Sequence, residues 1–554
     1  MAYKLQGKEC FFDDFLLNTE LTTAPHMIHH PVRKERVIVH NEMWEGDGCG
    51  YHNFFRDGDI YRMYYTSFHY DSTNVAPCIC YAESTDGIHW EKPKLGIHEF
   101  NGSKENNIVL KTMNVMVGCD NFMVFRDDNP ACPPERKYKA IGVDYTEVDG
   151  ETTECLNVFY SPDAIHFTYS HILSTDGAFD TLNVCFWDPL VEKYRLYFRN
   201  FHPYARSSGN ENTSRQDLRD VRYMESEDFE HWSAPQLLDF GDAPDIPLYT
   251  NVIQPYLYAP HIYIGFPSRY IERLYWNENF DELCGRDARY LRYKEWPRYA
   301  LAVTDCVFIT SRDGVHFKKY DEAFLRPGPE NGRNWIYGGC FPARGMIETP
   351  SQQRGADPEL SMYVKENTWM GSPSELHRFT LRKDGFVSLH AGAEEETVVT
   401  KPFIYNGSKL YANIESSAWG YLYFTLILPD GSKTGREIGV KPVLTYRDLL
   451  RHNQINCSSV VMLTEVARRY PMVHEDSHED YITWMSILNR YDEVCAVNEP
   501  LLLYRLSTTG KSGSKLKSAR MTYRAYRYMG FGPVRSACLF VSYAFHGVVK
   551  YARA

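Results

Sequence analysis

The chain lacks the marks of several protein classes at once. Its 14 cysteines form no C-x-x-C element, and only Cys78 and Cys80 stand one residue apart. Zinc-type spacing is therefore missing, and no metal-ligand set is read from the sequence. The opening MAYKLQGKECFFDDF has no apolar core and no small-residue cleavage site, so no secretory signal is read there. A disulfide framework is not expected in that context. The most apolar late stretch, ACLFVSYAFHGVV, is too short to cross a bilayer and carries His546. These absences point to a cytoplasmic protein with reduced, mostly buried thiols. Residues 501–554 contain no Asp or Glu, and helical periodicity is nearly absent before residue 440.

The chain does have abundant flat side chains and unevenly placed charge. Phe, Tyr and Trp make up 15% of its 554 residues, which excludes a disordered chain. The formal net charge is −12, an acidic balance that argues against a protein coating nucleic acid. That sum divides near Lys441. Residues 443–554 hold 15 basic and 9 acidic residues, a net +6, and the remainder carries −18. Nine of the ten tryptophans precede the break. Such asymmetry marks regions of different duty.

The first region repeats one unit. Four turns share the pattern S-x-D, then a small residue or Phe, then an aromatic: Ser84/Asp86/Gly87/Trp90, Ser161/Asp163/Ala164/Phe167, Ser226/Asp228/Phe229/Trp232 and Ser311/Asp313/Gly314/Phe317. Asp accepts turn amides and Gly supplies a left-handed backbone. A Tyr-rich strand precedes each turn (YRMYYTS, KYKAIGVDY, KYRLYFRN, HIYIGFPSRY), and a fifth, LSMYVKENTW, lies near Leu360. A further apolar strand precedes each of these, starting near Tyr51, Phe122, Val184, Val252 and Cys340. Five such units predict a mainly β chain whose residues 1–385 form a five-bladed β-propeller. The LHRFTLRKDGFVSLHAG segment is expected to close the last blade. Residues 386–441 predict a partial β-sandwich module, and 442–554 a helical segment. In the latter, Tyr481, Trp484, Met485 and Leu488 mark a buried helical face.

A propeller gathers the starts of its inner strands around a funnel. Asp47, Asp120 and Asp180 stand ahead of three of them, where mutual repulsion would raise at least one pKa. Trp44, Phe179, Trp187 and Trp335 are expected at the same level, as stacking surfaces for sugar rings. Glu45 and Arg199 complete the expected substrate-binding set. A plainer reading is that acids at strand starts accept turn hydrogen bonds. Glu154-Cys155 precedes an outer-strand turn and Asp57-Gly58-Asp59 sits in a hairpin, so neither is expected to be catalytic.

With these motifs in view, residues 1–385 resemble the five-bladed propellers of glycoside hydrolase families 32 and 43. G-D47-G-C-G stands where family 32 has N-D-P-N-G, C-D120-N replaces R-D-P, and F-D180-T replaces the E-C segment. The resemblance implies Asp47 as nucleophile, Asp120 as transition-state stabiliser and Asp180 as acid/base, with Glu45 competing for the first role. None of the three motifs is intact. A Ca²⁺ ion in the funnel is implied by the resemblance alone, since no oxygen-ligand motif marks it. The ICYAESTDGIHWEKP turn and the Arg378–Phe386 closure more closely resemble family-32-like propellers of uncharacterised activity.

Residues 443–554 resemble the C-terminal half of bacterial family 2 glycosyltransferases, through S-S-V-V-M, H-E-D-Y at His478–Tyr481, P-L-L-L-Y-R ending at Arg505, and G-K-S-G. The resemblance makes Asp480 the catalytic base; the plainer reading is an S-x-x-D helix cap from Ser477. A propeller stands where the nucleotide-binding half would be, so transferase activity is not expected. The basic, aromatic tail 511–554 fits contact with an anionic membrane surface, packing on the acidic propeller, or a solvated face. The functional expectation is a glycosidase acting on carbohydrate through funnel carboxylates. The alternatives are a non-catalytic glycan-binding propeller and a fusion protein with an inert transferase remnant.

Overall fold

Four four-stranded antiparallel sheets and one five-stranded antiparallel sheet make up the first part of the chain. The computed structural model describes all residues except 1, 6, 70–75, 112–117, 204–216, 332–333, 354–355, 368–372, 406–410, 416–421, 423, 428–432, 435–442, 452–461, 463, 474–476, 492, 496–514 and 553–554. Two compact units, Met1–Lys409 and Leu410–Ala554, divide it.

The first unit is the five-bladed propeller. Its innermost strands are Gly50–Asp57, Asp120–Arg126, Val184–Asp188, Gln254–Tyr256 and Phe341–Pro342. The second strands are the Tyr-rich runs, such as Ile60–Ser67 and Lys193–Pro203. The fifth blade differs from expectation. Glu375–Leu381 is its third strand, and Val32–Val39 from the N-terminal end supplies the fourth. Borrowing this strand joins the two ends of the ring and covers an edge that would otherwise be open.

Two side-chain devices repeat at the base of the blades. In each S-x-D turn the Ser hydroxyl accepts two backbone N–H groups and Asp Oδ1 accepts two more, as at Ser84 and Asp86. A histidine three residues after the Asp adds a contact of 2.7–2.8 Å to its other oxygen, at His89, His166, His231 and His316. Burial opposes the charge of Asp313, yet the amide and imidazole of His316 hold its carboxyl down to about 2.

The second device joins neighbouring blades. Asp57 accepts Arg62 Nε of its own blade (2.7 Å) and the Tyr138 hydroxyl of the next (2.8 Å). Asp127 does the same with Lys139 and Tyr194, and Asp188 with Arg195 and Tyr263. Asp57 is thus a structural ion-pair residue in its hairpin.

Helices interrupt the fourth blade, contrary to the nearly helix-free pattern expected. Arg286–Glu295 and Pro297–Leu301 lie between the paired strands Ser268–Ile271 and Val303–Cys306. RDARYLRYKE is rich in good helix formers, and tertiary anchoring of Arg289 replaces a broad apolar face: its guanidinium donates to the Ala300 and Trp335 carbonyls. Beyond the fifth blade, Val387–Leu389 pairs with His26–Ile28 and Phe403–Ile404 with Tyr3–Lys4. The other strands described in 386–441 are the two-residue pair Leu426–Ile427 and Lys433–Thr434.

The second unit contains helices Tyr446–Arg451, Thr464–Arg469, Glu479–Tyr491, Lys515–Tyr528 and Pro533–Ala552, with a strand pair Val443–Thr445 and Glu493–Cys495. Tyr481, Trp484, Met485 and Leu488 form the expected buried face, packed with Leu449, Ala525 and Tyr526. The S-S-V-V-M, P-L-L-L-Y-R and G-K-S-G segments fall largely or wholly outside the described residues. Among the described residues, no helix is long and apolar enough to cross a membrane.

Candidate active site

The inner strands of the first and second blades begin with β-bulges, between Gly50 and Asn53 and between Asp120 and Met123. Each puts a non-glycine residue into the left-handed region, Tyr51 at φ 54° and Asn121 at φ 52°. Val252 (46°) and Cys340 (57°) repeat this next to the inner strands of the fourth and fifth blades. Such residues are costly and cluster at functional sites, and a bulge re-aims neighbouring side chains.

Asp120 and Asp180 come together at this end of the propeller. Burial, followed by the charges of Asp180 and Asp144, pushes the Asp120 carboxyl up to about 7. Asp180 accepts from Asn121 Nδ2 (3.3 Å), and its own amide donates to Glu154 Oε2 (3.0 Å). Arg199 reaches Asp180 at 4.0 Å while its Nε donates to the Ala178 carbonyl. Asp144 is held by the Gly118 amide (2.5 Å) and Asn157 Nδ2 (3.2 Å).

An aromatic floor adjoins the carboxylates. The Tyr51 and Tyr337 hydroxyls each lie 3.1 Å from that of Tyr249. Tyr249 stacks on Phe341 at 5.5 Å, and Arg199 stands 5.2 Å over its ring. Asp180 is among the charges acting on Tyr51 and Tyr337, so floor and carboxylates share one neighbourhood.

The other expected residues have the following surroundings. Asp47 donates its amide to the Phe68 carbonyl, and its charge acts on Arg292 and Cys49. Glu45 is fully buried, accepting from Tyr65 (2.6 Å), Lys92 (2.7 Å) and the Glu42 amide (2.9 Å). Burial raises its pKa, and it is a core ion-pair residue closed to a ligand.

Trp44 donates to Asn107 Oδ1 at 2.6 Å and packs in the first-blade core. Phe179 is completely buried on Phe198 and closed to a sugar. Trp187 lies at the opposite end of its strand, against Tyr194, because each strand residue advances about 3.3 Å away from the mouth. Trp335 lines a cavity of ≈ 580 Å³ with Pro327, Cys340 and Phe379, its indole donating to Gly328. In the second unit, Asp480 Oδ1 accepts the Tyr481 amide, and the Ser477 hydroxyl donates to the Met521 carbonyl.

The carboxylate set expected from sequence omits Glu154. The strand Glu151–Ser161 returns antiparallel to Tyr138–Val148, with Glu154 opposite Tyr145 near its start, and this brings the carboxylate back beside Asp180. Among the described residues, no three His, Cys, Asp or Glu side chains are arranged to hold a metal ion.

No protein-family model matches the chain. A Bacillus subtilis (strain 168) protein assigned as the teichuronic acid biosynthesis glycosyltransferase TuaG is 29% identical over 136 residues, which is 24% of this chain. The match covers 54% of that protein, so the chain spans about half the length of this relative. Among solved structures, an N-acetylgalactosamine deacetylase from F. plautii in complex with blood group B trisaccharide aligns with TM-score 0.37 at 12% identity, over 64% of this chain and 95% of its own. A glycosyl hydrolase from Bacteroides ovatus aligns with TM-score 0.38 at 11% identity, over 64% and 94%. The catalytic domain of Coprinopsis cinerea GH62 alpha-L-arabinofuranosidase gives 0.35 at 9% identity, over 64% and 97%.

Proposed function

We propose that the propeller is a carbohydrate-active enzyme that hydrolyses glycosidic bonds with Asp120 and Asp180. The observation that carries this reading is the pairing of these two acids, in which Asp120 keeps its proton up to about pH 7. A protonated carboxyl beside a second carboxylate is the equipment of glycoside cleavage. In this reading Asp120 gives its proton to the glycosidic oxygen as the bond to the anomeric carbon breaks. Asp180 either attacks that carbon or takes a proton from the attacking water. Asn121, Arg199 and the Glu154 contact to its amide fix its position. These roles replace the resemblance-based assignment in which Asp47 attacks and Asp120 only stabilises. The half-buried Tyr51 ring at the edge of this floor offers a surface for a sugar ring.

The test is release of reducing sugar from a panel of oligosaccharides and aryl glycosides. Asp120→Asn and Asp180→Asn should each lower the rate by about 10²–10⁴-fold with melting temperature preserved. Wild-type rates from both variants would overturn the proposal. A chain that binds members of the panel and cleaves none would instead be a glycan-binding propeller.

For the second unit, the sequence resemblance of residues 443–554 and the TuaG match support a glycosyltransferase-related module. Asp480 is the residue to test there.

A further inference from the structure

The aromatic floor is bordered by cations that outnumber the acids meeting them. Lys365, on the fifth-blade strand Glu359–Glu366, is 7% exposed. Its ammonium stands 5.4 Å from the Phe341 ring centre and points at the first blade, where a Cβ added to Gly50 would lie 3.3 Å from Nζ. Among the described residues it has no hydrogen bond and no ion pair. The titratable groups around it are Cys49, His40 and His52, and none supplies a negative charge. Burial pushes the Cys49 thiol up, lowers His40 to about 3 and lowers His52 further below its ordinary value. A buried ammonium without an anion is expensive, and burial draws Lys365 itself down to about 8.

Three arginines stand around the same rings. Arg298 lies over Tyr299 and Tyr337 at 4.7 and 5.9 Å. Its one hydrogen bond among the described residues goes to the Tyr299 hydroxyl, and Nε has no partner. Arg219 covers Tyr270 and Tyr249, and Arg199 covers Tyr249. The acids facing this group are Asp180 and Glu154, near Arg199, and Glu272, near Tyr270.

Four cations around one floor, two of them without an anion among the described residues, fit a ligand that brings its own negative charge. We propose that the glycan taken by this funnel carries an oxyanion substituent, and that Lys365 and Arg298 are its contacts. A carboxylate, sulfate or phosphate oxygen suits both a lysine point charge and the arginine fork. The inference rests on the carbohydrate reading of the funnel and narrows its substrate class.

Calorimetric titration of the full chain tests it, using neutral disaccharides and their uronate, 6-sulfate and 6-phosphate counterparts. At least one charged form should bind about tenfold or more tightly than its neutral parent. The three arms identify the oxyanion. Lys365→Met and Arg298→Gln should each abolish that preference, so that the charged form binds no more tightly than its neutral parent. Arg298 is only half-buried, so its variant carries the test if Lys365→Met fails to fold. A panel in which no charged sugar outbinds its parent tenfold overturns the proposal. So does a folded Arg298→Gln protein that keeps the preference. Binding is read without turnover, so a chain that prefers charged sugars and cleaves none defeats the hydrolase reading alone.

Discussion

The hydroxyl of Tyr64, on the second strand of the first blade, donates at 2.7 Å to the carbonyl of Ala164, in the turn of the second blade. The contact recurs around the ring. Tyr197 donates to Gly314 at 2.9 Å, and Tyr363 donates to Gly87. In each case the acceptor residue has a left-handed backbone, which turns its carbonyl toward the neighbouring blade. The same position in the third blade is Phe229, whose ring packs into the interface with Phe125 and Tyr194.

Removing one of these hydroxyls leaves a buried carbonyl without its donor. Tyr64→Phe and Tyr197→Phe should each lower stability by about 1–3 kcal/mol in denaturant unfolding. Tyr61→Phe, at a partly exposed position of the same strand, should cost less. Equal losses at all three positions would show that the hydroxyls add nothing beyond packing.

The blade-base acids should be more sensitive still. Asp188→Ala removes the closer of two carboxylates from the buried Arg195 and the acceptor of the Tyr263 hydroxyl together. Breaking such a buried pair costs about 3–5 kcal/mol. A double-mutant cycle with Arg195→Met, followed by chemical denaturation, should show positive coupling between the two residues. Additive losses would mean that the pair does not act as a unit.

Glu45 and Asp120 should respond in opposite ways. Glu45→Ala leaves Lys92 and Tyr65 without their partner, so the melting temperature should fall by several degrees while any sugar binding by the folded fraction persists. Asp120→Asn should leave stability at neutral pH unchanged or higher. An acid whose folded pKa lies above its unfolded value holds more protons when folded, so stability falls as pH rises from about 4 to 7. Asp120→Asn should flatten the fall in melting temperature over that window, and an unchanged slope would count against the raised pKa.

Asp180 sets part of that titration. Its negative charge makes loss of the Asp120 proton harder, so Asp180→Asn should shift the midpoint toward acid. Carboxyl NMR titration of the two proteins measures the shift directly. A midpoint that stays in place would assign the whole effect to burial.

The blades were legible because Tyr-rich strands and S-x-D turns recur in order, and a repeated turn fixes where each hairpin reverses. The turn histidines escaped notice because the pattern was aligned on Gly and the aromatic. Asp120 and Asp180 were singled out from their places ahead of inner strands. Glu154 was set aside as a turn residue, since strand polarity, which returns it to the mouth, cannot be read from a two-residue motif. Trp187 was misplaced for the converse reason, being near Asp180 in sequence and at the far end in space. Lys365 gave no sequence signal, because its surroundings form only when the first and fifth blades meet.

That meeting is made by Val32–Val39, and it has a consequence for the order of manufacture. Arg36 and Glu375, which bridge the seam, are 339 positions apart. On a ribosome the seam strand emerges well before its partner, which follows only after four blades have been made. Those blades can gather in sequence as they appear, but the ring cannot shut until translation has passed Leu381. A long-range closure of this kind is slow and leaves a strand edge exposed meanwhile.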